Sequence, residues 1–160
     1  MSIFPTKILL ATDGSEEAQL ALSTAVDLAT STNSQLHLVT VGAANPDPAY
    51  AAHEVSFRWE TYEEVSEGIG KEAQEILDNQ VRKIEEAGGR VQEAHLLRGQ
   101  KDQEIVRLSE EIGAGVIVMG SRGNGGVRRA LMGSVSDSVV RHAHCPVLVV
   151  RKEKLSENSE

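Results

Sequence analysis

Five short apolar runs, separated by stretches of helical period, constrain the fold of this chain more than any other feature. They fall at 7–13, 35–41, 91–98, 115–120 and 146–150. Runs of this length that are apolar at successive positions, as in Val116-Ile117-Val118-Met119, read as strands buried on both faces. The intervening stretches carry a helical stripe: Ala18, Ala21, Leu22, Ala25 and Ala29 within 15–32, then Ile76, Leu77, Val81 and Ile84 within 67–87. Ile105, Leu108 and Ile112 mark 101–112, and a last helix is expected over 134–143. Strands alternating with helices imply parallel pairing through right-handed crossovers. The expected architecture is one three-layer α/β sandwich over 1–152, without a second domain or internal repeat, followed by a polar tail at 153–160.

Local signals set the element ends. Asp13 or Ser15 can cap the first helix, and Asp13 with Glu16 has capping-box spacing. Gly88-Gly89 is expected to stop the second helix. The stretch 42–70 reads as irregular, with Asn45-Pro46-Asp47-Pro48 as a breaker. It holds Tyr50, Phe57, Trp59 and Tyr62, four of the five aromatics. These rings either cover a core edge or subunit contact, or form a lid over a ligand.

Composition excludes several functions. A net charge of -8 argues against a general nucleic-acid-binding surface, which needs a basic face. No apolar run approaches the ~20 residues of a membrane span, and the first residues lack the pattern of a signal peptide. A single cysteine, Cys145, fits a reducing compartment, so the expected location is the cytoplasm.

In open α/β sheets, ligands sit beyond the carboxyl ends of the strands. Asp13, Val41 and Gly120 all fall there. Gly120 opens the run Gly120-Ser121-Arg122-Gly123, followed after nine residues by Gly133-Ser134, a Gly-x2-Gly-x9-Gly-Ser pattern. Glycines permit close backbone approach, and a helix start offers unpaired N–H groups to an anion. Together they suggest a site for nucleotide phosphates. The better-known phosphate motifs do not fit: there is no Gly-Lys-Ser/Thr for a Walker loop, the first strand ends in a lone Gly14, and the kinase set is absent.

With these residues in view, the chain resembles the universal stress protein family, in its ATP-binding branch. The resemblance rests on Ile8-Leu9-Leu10-Ala11-Thr12-Asp13-Gly14-Ser15, on Val118 to Gly123, on Leu131-Met132-Gly133-Ser134-Val135-Ser136, and on Cys145 to Val150. It implies a five-stranded parallel sheet of order 3-2-1-4-5, a Rossmann-like fold of the adenine nucleotide alpha hydrolase type, and usually a homodimer. It places Ala11, Thr12 and Asp13 beside adenosine, and Val41 against adenine through its backbone. Met119, Gly120, Gly123, Gly133, Ser134, Val135 and Ser136 would line ribose and phosphates. Ala11 departs from the proline often found there.

ATP, or ADP or AMP, is thus the expected ligand, with Mg as an accompanying cation. Asp13 could hold a ribose hydroxyl or help place that metal. Ser134 could act as phosphate donor and N-cap at once, with Asp137 completing a capping box. Arg122, Arg128 and Arg129 could neutralise outer phosphates or pair with acidic neighbours. His142, His144 and Cys145 lack the second ligand cluster of a structural zinc site. Cys145 before a buried strand reads as a core residue. The expected function is a nucleotide-responsive regulatory module acting on an unidentified protein partner, with slow or no hydrolysis. Two alternatives stay open: an Asp13- and metal-dependent ATPase or phosphotransferase, and a dimeric scaffold with little nucleotide binding. The apolar 147–150 region is the expected dimer contact.

Overall fold

The computed structural model describes residues 2–44, 59–122 and 132–152, the side chains of 59–63 excepted. Its elements are β1 (Lys7–Ala11), α1 (Glu16–Thr32), β2 (Gln35–Gly42), α2 (Trp59–Glu86) and β3 (Val91–Arg98). They continue with α3 (Lys101–Ile112), β4 (Val116–Gly120), α4 (Ser134–His142) and β5 (Val147–Val150). The strands form one parallel sheet in the order β3-β2-β1-β4-β5. This is the α/β order the resemblance implied.

The central strands carry apolar residues on both faces because each face of the sheet meets a different helix layer. Ile8, Leu10, Leu36, Leu38, Val116 and Val118 face α1 and α2, packing on Ala21, Leu22, Ala25, Leu77 and Ile84. Leu9, Ala11, Val39, Val41, Ile117 and Met119 face the other way, onto Ile105 and Leu108 of α3 and Val139 of α4. The edge strand β5 is equally apolar but only partly covered, with Leu148 39% exposed. Its apolarity is therefore not accounted for by this core alone.

Helix α2 starts at Trp59, well before the expected 67, and takes Trp59 and Tyr62 out of the irregular segment. Gly68 and Gly70 within it argue against a helix by about 1 kcal/mol each. Packing on the sheet outweighs them: the helix lies so close to the end of β2 that a Cβ on Gly42 would sit 3.2 Å from Ala73 and 3.6 Å from Ile69. At its other end the Gly88-Gly89 stop is as expected. Gly88 takes φ +84, a left-handed conformation natural to glycine, and Gly89 N–H returns to the Ile84 carbonyl at 2.9 Å. Tyr50 and Phe57 lie outside the described residues.

Candidate functional site

At the carboxyl rim of the sheet, β1, β2 and β4 end around a cleft of about 370 Å³. Its walls bring together Ala11, Thr12, Asp13, Val41, Met119, Gly120, Arg122, Gly133, Ser134, Val135 and Ser136. Gly123, Arg128 and Arg129 lie outside the described residues. The cleft also takes in Ser15, Ala18, Val39, Lys101, Ile105 and Met132. Lys101, opening α3, is a second cation beside Arg122. Nothing near it in sequence marks it, because only the crossover from β3 to α3 carries it to the rim.

The β1 wall is a tight polar turn. β1 ends at Ala11 rather than Asp13, although Thr12 N–H still donates to the Val39 carbonyl at 3.0 Å. Asp13 Oδ1 accepts the Ser15 N–H at 2.9 Å, and Ser15, not Asp13, caps α1 by accepting Ala18 N–H at 3.2 Å. The Thr12 hydroxyl turns inward, donating to Gln80 Oε1 at 3.1 Å. Gln80 is fully buried and takes a second donor from Gln19 at 3.0 Å, so it ties the turn to α2.

Beside it, the β1–β2 ladder stops at the Ala11–Val39 pair. Successive residues of a strand point their backbone groups to opposite sides. Because the Val39 carbonyl faces β1, the N–H and C=O of Val41 face the same way, past the end of that ladder. They border the cleft as a ready pair of donor and acceptor.

The two ends of the glycine motif meet at one residue. The buried Ser121 accepts Gly133 N–H and the Ser136 hydroxyl on its carbonyl, each at 2.6 Å, and donates its own N–H to Val150 at 2.9 Å. The Ser136 hydroxyl is thus turned toward protein. From the other side Glu17 grips the same turn: its Oε2 accepts the Ser121 hydroxyl and, at 2.7 Å, the Arg122 N–H. The Arg122 guanidinium lies 4.0 Å from Glu17 Oε1. Gly120 is needed for this approach. A Cβ there would stand 3.1 Å from the carbonyl carbon and Cβ of Glu17, so the first turn of α1 occupies the space a side chain would take.

Helix α4 points its N-terminus into the cleft. Gly133 is the N-cap and Ser134 the first helical residue, which corrects the expected Ser134–Asp137 capping box. Having no side chain, Gly133 cannot take up the N–H groups of the first turn. Those of Ser134, Val135 and Ser136 therefore open where the helix dipole is positive, an arrangement suited to an anion.

The cluster at the other end of α4 disperses. His142 Nδ1 is 2.8 Å from the Ser138 carbonyl, His144 Nε2 is 3.1 Å from Glu110 Oε1, and Cys145 packs at the core edge. Burial pushes the Cys145 thiol up, keeping it protonated at neutral pH.

Comparison with known proteins agrees with this architecture. Residues 5–151 match the model of the universal stress protein family. A universal stress protein of Methanocaldococcus jannaschii is 35% identical over 148 residues, 92% of this chain and 83% of that protein. The solved structure of the hypothetical protein MJ0577 superposes with a TM-score of 0.76 at 28% identity, covering 95% of this chain and 99% of that one. A universal stress protein solved in complex with cAMP shares the fold at a TM-score of 0.64 and 23% identity, over 92% and 98% of the two chains. The chain belongs to the universal stress protein family.

Proposed function

We propose that the cleft binds an adenine nucleotide, ATP in the first place, and that the protein is a nucleotide-responsive regulatory member of its family. The observation that carries this reading is the pairing of two unlike subsites across one cleft. At one end the Val41 N–H and C=O offer the edge-on hydrogen bonds a purine needs, beside apolar Ala11, Val39 and Ile105. At the other, the start of α4 supplies N–H donors for phosphates, and Lys101 and Arg122 add positive charge to the cleft lining. Asp13 stands between the β1 turn and the cleft, within the scope of a ribose hydroxyl. One carboxylate together with phosphate oxygens also suits Mg, which commonly keeps most of its waters.

Binding rather than turnover is the better reading. Among the described lining residues there is no histidine, and Asp13 is the one carboxylate. A homodimer through β5 belongs to the same proposal, since a second copy would cover Leu148 and the open edge of the sheet. Mass spectrometry of small molecules released from the purified protein tests the ligand, and a melting temperature that climbs with added ATP tests binding. Protein that carries no adenine compound and melts at the same temperature with and without ATP would overturn the reading.

A further inference from the structure

A second group of titratable side chains lies on the α3 side of the sheet, between β2 and β3, where His95 pairs with Val39. His37 of β2 and His95 of β3 stack with ring centroids 5.7 Å apart, and His37 Nδ1 is 3.4 Å from His95 Nε2. Glu93 Oε2 is 3.8 Å from that same His95 nitrogen. One ligand atom from each of the three residues falls within 4.8 Å of the other two.

This convergence depends on an irregularity. Leu36 pairs with Val91, but His37 pairs with Glu93, so Gln92 is an extra residue in β3. Without that shift, Gln92 and Ala94 would share the face of His37, and Glu93 and His95 would turn to the other layer. Bulges are rare between parallel strands and re-aim side chains where they occur. Here the bulge gathers two imidazoles and a carboxylate on one patch of sheet.

The spacing suits a metal better than a hydrogen bond. The N···N contact of 3.4 Å is longer than the 2.7–3.2 Å of ordinary N–H···O bonds. Two nitrogens bound at ~2.05 Å to a tetrahedral zinc ion stand about 3.3 Å apart. We propose that His37, Glu93 and His95 form a binding site for zinc or a similar late first-row divalent cation, completed by water on the solvent side.

Each residue suits its part. His37 is 4% exposed, within the sheet, while the Glu93 side chain is 63% exposed, at the solvent edge, with room to close the remaining distance. Two nitrogen ligands and one oxygen favour zinc, cobalt or nickel over magnesium or calcium. Lys7, on β1 beside this patch, is exposed, so water screens its charge from a bound cation.

The test is calorimetric titration of zinc chloride into metal-stripped, tag-free full-length protein. One site per chain is expected. Glu93→Gln and His95→Ala should each weaken it about tenfold or more, given that even outer partners of zinc ligands contribute 10–100-fold. Glu93 is exposed, so its variant should fold normally, as far-UV circular dichroism would verify. His144→Ala should bind zinc as the parent does. Parent protein that takes up no zinc, or zinc binding unchanged in Glu93→Gln and His95→Ala, would overturn the proposal. So would binding lost in His144→Ala instead.

Discussion

Single residues at the rim join a proposed binding role to a structural one, and the structural one is open to measurement. Gly120 belongs to the proposed nucleotide-binding motif, and its missing side chain makes room for the first turn of α1. Gly120→Ala should therefore lower stability by about 1–3 kcal/mol, as overpacking does, read from the midpoint of urea unfolding without any ligand. Glu17 holds the same turn through the Ser121 hydroxyl and the Arg122 N–H. Its removal in Glu17→Ala should cost roughly 1.5–3 kcal/mol, the range for hydrogen bonds to a charged group, and should also weaken ATP binding. Loss of stability with ATP affinity intact would show that the grip does not shape the cleft. Neither role was visible in the sequence. Glu17 reads as an ordinary acidic residue in a first turn, and its partners stand more than a hundred positions away. Gln80 was hidden for the same reason: a glutamine in a polar helix gives no sign that Thr12 and Gln19 will close over it.

At the level of elements, the sequence was far more legible. Strand positions, the Gly88-Gly89 stop and the helix following Gly133 all follow from local period and turn chemistry. What failed was the start of α2, where glycines and the aromatic cluster read as loop while contact with β2 favours helix. The Ser134 cap failed by one position because Gly133 can adopt the cap conformation itself. The contact between α3 and α4 has a pH signature. Ser138 donates to Asp102 Oδ2 at 2.7 Å, and this bond, more than any other influence, holds the Asp102 carboxyl below its ordinary value. A depressed folded-state pKa contributes stability that is complete above the unfolded value of about 3.9 and is lost as pH falls through the folded one. Asp102→Asn should therefore lower stability at pH 7, where the parent holds the full contribution, and flatten the profile below about pH 4, where the two proteins converge. An acid limb identical to the parent's would refute this account of the contact.

For the molecule as a whole, the prediction is assembly. If β5 meets its counterpart in a second chain, Leu148→Glu should give a monomer by light scattering while far-UV circular dichroism stays unchanged. A parent protein that already scatters as a monomer would rule the contact out. The strand order has a further consequence, in time rather than space. β1 is made first but is flanked by β2 and β4, and its Ile8 aligns with Val116. The cleft draws one wall from residues 11–41 and the other from residues 101–136. During synthesis, β1 therefore waits with one edge bare until most of the chain has followed it, the slow and exposed kind of pairing. A ligand that touches both walls cannot guide the early steps; it can only fasten the two halves once they have met.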